Sequence, residues 1–298
     1  MSALGAAAAT LLFSVGASAS APAAGTAPSS AKVFRPVGFH QTTGAASAAP
    51  AASSRNLQYM GGSVLAVPKA FIIFWGPDWN TGWTTGGFTS AQAQTYITSF
   101  FGGVGGGSWI NSTTQYCSGV AAGSQTCGST GRITNPTAQF GGSWVDTTTV
   151  PTRPTDPHNK SISGFGTQFC AYHDNTSFNG QPLAYANMPY APDAGTSCGR
   201  NFVNASNSSF GNGFFDGLSI VAGHEYAEAV TDAFPSNRIA WLDTSGEENG
   251  DKCAWNTGPG PQSASTNVTE GSHSFAVQSL WSNAANSATG GCVINRIS

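Results

Sequence analysis

The stretch "LSIVAGHEYAEAVTDAFP", from Leu218 to Pro235, decides most of what the sequence predicts about the fold and the site. Asp216 precedes it and can cap a helix, and Pro235 ends it. On such a helix His224 and Glu228 are four residues apart, so they lie about 40° from each other on one face, one turn apart. That is the placement which two ligands of one metal ion require.

The spacing matches H-E-x-x-H, the helix motif of zinc peptidases, except that Glu228 stands where the second histidine is expected. Glu225 lies about 100° around the helix from His224. It can therefore flank a bound ion without binding it, as does the glutamate of that motif, which takes a proton from a metal-activated water. The sequence thus predicts Glu225 as a general base, with His224 and Glu228 as two ligands.

A third ligand has to come from elsewhere in the chain. The motif resembles the thermolysin-like group of zinc peptidases, in which a glutamate on a later segment completes the site. Glu248 lies 20 residues past Glu228, at the spacing which that resemblance requires. We therefore predict Glu248 as the third ligand. Glu247, Asp243 and Asp251 are competitors for this place, and Asp251 is also predicted to orient His224 by accepting a hydrogen bond.

The ligand set has consequences for the metal. One imidazole and two carboxylates leave a divalent ion formally neutral, which weakens it as a Lewis acid and raises the pKa of a bound water. We expect Zn²⁺, with harder ions such as Mn²⁺ or Ca²⁺ as alternatives. A capped helix on which His224 and Glu228 merely contact each other is the competing interpretation. Ile220 and Val221 argue against it, because a buried helix needs a partner for each carboxylate.

The N-terminal region predicts export. Residues 1–19 are predicted to be a signal peptide, because the apolar run from Ala6 to Val15 is too short to span a bilayer and is followed by a small-x-small cleavage pattern ending at Ala19. Residues 20–55 are rich in Ala, Pro, Ser and Gly, which predicts a disordered leader or pro-segment. The remaining residues, 56–298, are predicted to form one extracellular domain without a membrane span, acting as a monomer.

Six cysteines in an exported chain predict three disulfides. No Cys-x-x-Cys pair occurs, which disfavours a zinc knuckle or a thioredoxin-type site. Six cysteines allow many connectivities, and the sequence does not choose among them. Proximity along the chain favours the pairs Cys117–Cys127, Cys170–Cys198 and Cys253–Cys292.

Charged residues are scarce, at 8% of the chain against about 25% in ordinary domains. The net charge is −3 and no basic stripe occurs, which excludes nucleic acid as an expected partner. Elsewhere, "AFIIFW" at residues 70–75 predicts a buried strand. The segment that follows Thr89 or Ser90 as N-cap predicts a helix ending at Gly102. We therefore expect a single α/β zincin-like domain with a mixed sheet, a long active-site helix and many loops.

The helix "SIVAGHEYAEAVTD" and the later segment ending "GDKCAW" resemble the exordium (phosphate-induced protein) family and its microbial relatives. The segments "AFIIFWG", "YITSFF" and "WINSTTQYC" resemble its N-terminal half, so the likeness covers most of the chain from about Val64 onward. The resemblance implies a secreted, wall-associated protein with a zincin-like core. Plant members are linked to growth signalling, and retention of the His-Glu pair here favours an enzyme.

These observations together predict a secreted metallopeptidase acting on protein or peptide substrates. Its alternative is a non-catalytic, wall-associated or signalling protein of the exordium type with a structural or vestigial metal site. A peptidase also needs a donor to the developing oxyanion. The candidates are His173, Tyr172, Tyr185, Tyr190 and His273, and the segment from Tyr185 to Tyr190 is a candidate for the edge strand along which a peptide would bind.

Overall fold

A computed structural model describes residues 9–13, 56–148, 164–258 and 264–295. The predicted leader, residues 20–55, and the predicted cleavage site after Ala19 lie outside these ranges and remain predictions. The described chain combines helices with small sheets, so it is an α/β protein as expected. Within the described ranges, no helix has both the length and the apolar character needed to cross a bilayer.

The described strands, in chain order, are β1 (Ala9–Phe13), β2 (Gln58–Tyr59), β3 (Ala70–Trp75), β4 (Thr84–Thr85), β5 (Phe88–Thr89), β6 (Phe140–Asp146), β7 (Tyr172–Phe178), β8 (Gln181–Met188), β9 (Trp241–Leu242), β10 (Thr266–Glu270), β11 (His273–Val277), β12 (Leu280–Ser282) and β13 (Gly291–Val293). The α-helices are α1 (Asp78–Thr81), α2 (Ser90–Val104) and α3 (Asp216–Thr231). Short 3₁₀ helices cover Ile110–Gln115, Ala191–Cys198 and Asp251–Cys253, and Ala285–Ala288 form a short helical turn that contains left-handed residues.

The largest sheet has five strands in the order β6-β3-β1-β8-β7. Strands β3 and β6 run parallel, and the remaining neighbours are antiparallel, so the sheet is mixed as predicted. Strand β3 is the predicted "AFIIFW" strand, and alternate residues of it are buried. Among the described strands, β7 lies at one edge of this sheet and β8 in its interior. In the uncleaved chain the candidate edge segment from Tyr185 to Tyr190 begins within β8, which is paired on both sides, by β7 and by β1.

Strand β1 pairs antiparallel with both β3 and β8. It lies inside residues 1–19, the segment predicted as a signal peptide. Cleavage after Ala19 would remove β1 and leave the facing edges of β3 and β8 without this partner.

Helix α2 begins with a capping box. The side chain of Thr89 accepts a hydrogen bond from the Gln92 amide, and the Gln92 side chain accepts one from the Thr89 amide. The helix continues past Gly102 to Val104, so the predicted end at Gly102 is wrong. Tertiary packing explains the extension, because Val104 is fully buried and a Cβ at Gly103 would lie 2.3 Å from the backbone of Glu270.

Helix α3 is the motif helix, and all sixteen of its residues are buried. Asp216 is its first residue and makes no side-chain cap, which corrects the predicted capping role. Its buried carboxylate instead accepts hydrogen bonds from the amides of Gly213, Val203 and Asn204 and from the Asn204 side chain, at 2.7 to 3.0 Å. Asp216 therefore ties the preceding loop to the start of the helix.

Asp216→Asn should lower the free energy of unfolding by about 2 to 4 kcal/mol, because one acceptor oxygen becomes an amide donor that faces buried N–H groups. Urea denaturation of the two proteins measures the difference. Glu247→Gln, at a partly exposed position, is the control and should change stability by less than about 0.5 kcal/mol. Equal stability of the Asp216 variant and the wild type would contradict the anchoring role.

All three predicted disulfides are confirmed, and no described cysteine is free. Cys170–Cys198 joins the residue two before β7 to the 3₁₀ helix that precedes α3. Cys253–Cys292 joins the segment after Asp251 to β13. Two of the three bridges therefore hold segments that lie next to the motif helix.

Candidate metal centre

Helix α3 places His224, Glu225 and Glu228 in the interior, where each is fully buried. Small neighbours allow other elements to come close to this part of the helix. A Cβ at Gly223 would lie 2.7 Å from the ring of Trp109, so only glycine lets that indole pack against α3. The indole Nε1 donates to the Gln278 carbonyl at 2.8 Å, which holds the segment after β11 near the helix.

His173, on strand β7, enters the same cluster from the sheet. Its Nδ1 lies 3.3 Å from Glu225 Oε2 and 3.4 Å from Glu228 Oε2, and its Nε2 lies 3.6 Å from Glu248 Oε1. The residue is only 4% exposed, so its ring is surrounded by these carboxylates and not by water. From sequence, His173 was a candidate oxyanion donor, and its contact with the predicted ligands was not expected.

Ligand atoms converge in two groups among the described residues, and in each group they all lie within 4.8 Å of one another. The first group contains His224, Glu228 and Asp251. The second contains His173, Glu228 and Glu248. The structure thus brings Glu228 together with each of the other predicted ligands, but His224 and Glu248 belong to different groups.

Within the first group, His224 Nε2 lies 2.9 Å from Glu228 Oε1 and 3.7 Å from Asp251 Oδ1. The opposite nitrogen, Nδ1, lies 2.9 Å from Gln278 Oε1. The orienting position predicted for Asp251 is therefore held by Gln278, and Asp251 lies on the ligand side of the ring. Gln278 is held in turn, since its Nε2 donates to the Gly250 carbonyl at 2.8 Å.

The segment from Glu248 to Asp251 wraps closely over the helix. The Asp251 amide donates to Glu228 Oε1 at 2.9 Å, which fixes that carboxylate. Gly250 permits the approach, because a Cβ there would lie 2.8 Å from Glu228 Oε1 and 3.0 Å from His224 Nδ1. The backbone of Gly250 has a right-handed helical conformation that any residue can adopt. Glycine is therefore required here because there is no room for a side chain.

Gly250→Ala should weaken Zn²⁺ binding by roughly 10- to 100-fold. The added methyl group would press on the Glu228 carboxylate and on the Nδ1 side of the His224 ring, and so would displace two ligands. Competition with a fluorescent chelator measures the affinity. Gly102→Ala is the matched control, since a methyl group there meets nothing within 4 Å. It should leave Zn²⁺ affinity unchanged. An unchanged affinity in both variants would mean that Gly250 does not shape the site.

The cluster is strongly acidic. Four buried or nearly buried carboxylates, Glu225, Glu228, Glu248 and Asp251, surround two imidazoles. Burial lowers the pKa of His224, but the charges of Glu228, Glu225 and Asp251 outweigh it and raise that pKa to about 10.

The carboxyl groups of the cluster differ in their response to burial. Burial raises the pKa of a carboxyl group, and it dominates at Asp251, whose pKa rises to about 7 with a further contribution from Glu228. At Glu228 the two imidazoles outweigh burial and lower the pKa to about 2. Without a cation, the cluster therefore holds protons on its imidazoles and on part of its carboxyl groups.

Several of these atoms are buried and make no hydrogen bond in the described structure. They are His173 Nε2, Glu225 Oε1, Glu228 Oε2 and Glu248 Oε1, whereas His224 Nε2 has Glu228 Oε1 beside it at 2.9 Å. Burying a polar atom without a hydrogen-bond partner costs folding free energy. A divalent cation binds imidazole nitrogen and carboxylate oxygen atoms that face one another, as these do. The residues present therefore fit a metal ion.

The other predicted oxyanion donors lie outside both groups. Tyr190 packs against Trp79 and Trp83, and His273 stacks on Phe210 with ring centroids 3.9 Å apart. Tyr172 and Tyr185 are closer to the cluster. Burial raises the pKa of Tyr172, with a smaller contribution from Glu225, and burial with Asp174 raises that of Tyr185 to about 12, against an opposing effect of His173. Both phenols thus stay protonated and can donate at neutral pH.

Comparison of the chain with protein-family models, with curated proteins and with solved structures finds no match.

Proposed function

We propose that the protein is a secreted metal-dependent peptidase in which His224, Glu228 and Asp251 hold a divalent ion. Zn²⁺ is the expected ion, with Mn²⁺ and Ca²⁺ as alternatives. A divalent ion in such a site would supply Lewis acidity and an acidified water. The observation that carries the proposal is a carboxylate beside the ligands that belongs to neither ligand group, namely Glu225.

Glu225 has the position of a general base. Its Oε2 lies 3.3 Å from His173 Nδ1, which orients the carboxylate, and its Oε1 is left without a hydrogen-bond partner. Burial raises the pKa of Glu225, which brings the carboxyl group closer to the range in which it can both take and return a proton near neutral pH. A site that only stabilised the fold would not need this additional buried acid.

The surroundings of the helix also support a peptidase with a zincin-like architecture. Strand β7 is an antiparallel edge strand among the described strands, and it carries His173 toward α3. An extended peptide can add to such an edge through main-chain hydrogen bonds. Asp251 is the most exposed member of the cluster, with 16% of its side chain accessible, so substrate would approach from its side.

Burial favours a second candidate function. His224, Glu225 and Glu228 are 0% exposed, which is what a structural metal would require. In this alternative the ion only fastens α3 to the segment Glu248–Asp251, and the protein acts as a non-catalytic wall-associated or signalling protein of the exordium type. The three disulfides are compatible with either role outside the cell.

The test combines metal analysis with hydrolysis of an unfolded protein. Protein purified without added ions should contain a stoichiometric divalent metal and should cleave reduced, alkylated casein, and removal of the metal with a chelator should abolish cleavage. A stoichiometric metal without cleavage of any unfolded substrate would support the structural alternative. Correctly disulfide-bonded protein that binds no divalent ion would exclude both functions.

A further inference from the structure

We propose that the cluster binds two divalent cations and that Glu228 bridges them. This inference extends the proposed function, in which one ion is held by His224, Glu228 and Asp251. The second ion would be held by His173, Glu228 and Glu248. Each ion then has its own imidazole and its own carboxylate from the segment Glu248–Asp251, and they share one residue.

The two oxygens of Glu228 face different histidines. Oε1 lies 2.9 Å from His224 Nε2, and Oε2 lies 3.4 Å from His173 Nδ1. A carboxylate held in this way can bind one cation through each oxygen. The Asp251 amide, 2.9 Å from Oε1, keeps the group from rotating.

Unpartnered atoms point independently to the second position. His173 Nε2, Glu248 Oε1 and Glu228 Oε2 are buried and make no hydrogen bond among the described residues. These atoms are separate from His224 Nε2, the nitrogen of the first group, which lies 2.9 Å from Glu228 Oε1. A single ion bound by His224 would leave the buried Glu248 with only the imidazole of His173, 3.6 Å away, as a charge partner, because His224 and Glu248 fall in different groups.

The negative charge of the cluster also favours two ions. Glu225, Glu228, Glu248 and Asp251 carry four negative charges when ionised, and two divalent cations balance them. One divalent cation would leave two negative charges, of which a proton on His173 would offset only one, and an unbalanced buried charge is costly. Paired cations with a shared ligand are also a common arrangement for hydrolysis, since each ion can stabilise a different oxygen of the reaction.

The experiment measures metal stoichiometry by mass spectrometry of the full chain after saturation with Zn²⁺ and desalting. Two equivalents per chain are expected. His173→Ala and His224→Ala should each lose one equivalent, and Glu228→Ala should lose at least one. Glu247→Gln, next to Glu248 but outside both groups, is the control and should keep two, whereas Glu248→Gln should lose the ion of the His173 group.

A spectroscopic measurement on the unmodified chain makes the test independent of variants that fail to fold. Protein loaded with Mn²⁺ alone should give the exchange-coupled electron paramagnetic resonance spectrum of a manganese pair. One equivalent of Zn²⁺ with an uncoupled Mn²⁺ spectrum would overturn the bridge and leave the one-ion peptidase proposal standing. No bound metal at all would overturn both.

Discussion

Glu225→Gln should leave the metal content unchanged and lower casein hydrolysis by a factor of about 10² to 10⁴, the usual contribution of a positioned general base. Glutamine has the size of glutamate and is expected to fit the same buried space, but its amide cannot take a proton from the attacking water. Because Glu225 belongs to neither ligand group, the ligands His224, Glu228 and Asp251 stay in place. The measurements are metal content by mass spectrometry and the initial rate of casein cleavage.

Two comparisons make this result specific. Glu247→Gln removes a carboxylate from the neighbouring segment without touching the cluster, so its hydrolysis rate should equal that of the wild type. Asp251→Ala should instead lose metal, because it removes a ligand of the His224 group. A Glu225→Gln protein that retains full activity would show that another group takes the proton. Loss of metal from that variant would place Glu225 among the ligands.

The motif helix and the disulfides could be predicted because they depend on local sequence. His224 and Glu228 are brought together by helical periodicity alone, and the confirmed pairs join cysteines that are near each other in the chain. Glu248 was expected near Glu228, and the structure places both in the group of His173.

His173 and Gln278 could not be assigned to the site from sequence, because tertiary packing brings them there. His173 is 51 residues before His224 on another element, and only the arrangement of β7 over α3 makes it a neighbour of Glu225 and Glu228. One available signal was the scarcity of histidine, since the chain has only five. In a chain with so few histidines, one that lies in a strand is therefore worth testing as a ligand.

The metal-free protein should lose stability as the pH rises from about 5 to 9, and His224 alone should contribute on the order of 3 kcal/mol to this loss. His224 has a pKa of about 10 in the folded chain, above its value in the unfolded chain, so its stabilising contribution is complete below about pH 6.5 and is lost as the pH approaches 10. Burial raises the pKa values of Asp251 and Asp232 to about 7. Their ionisation between about pH 4 and 7 disfavours the folded chain in the same direction. Glu228 acts oppositely only in strong acid, since its pKa is lowered to about 2.

Bound metal should reverse this dependence, because the ion replaces the protons on His224 and Asp251 and compensates the charges that otherwise accumulate. Thermal unfolding of the protein with Zn²⁺ and with a chelator, followed from pH 5 to pH 9, should give two melting temperatures that diverge as the pH rises. His224→Gln is the matched variant: without metal, it should lose less stability than the wild type above pH 6.5, because the titrating imidazole is gone.

A metal-free wild type that is more stable at pH 9 than at pH 5 would contradict the protonated cluster. Equal melting temperatures with and without Zn²⁺ at pH 8 would show that the cluster binds no ion that stabilises the fold, since binding to the folded chain alone must raise its stability.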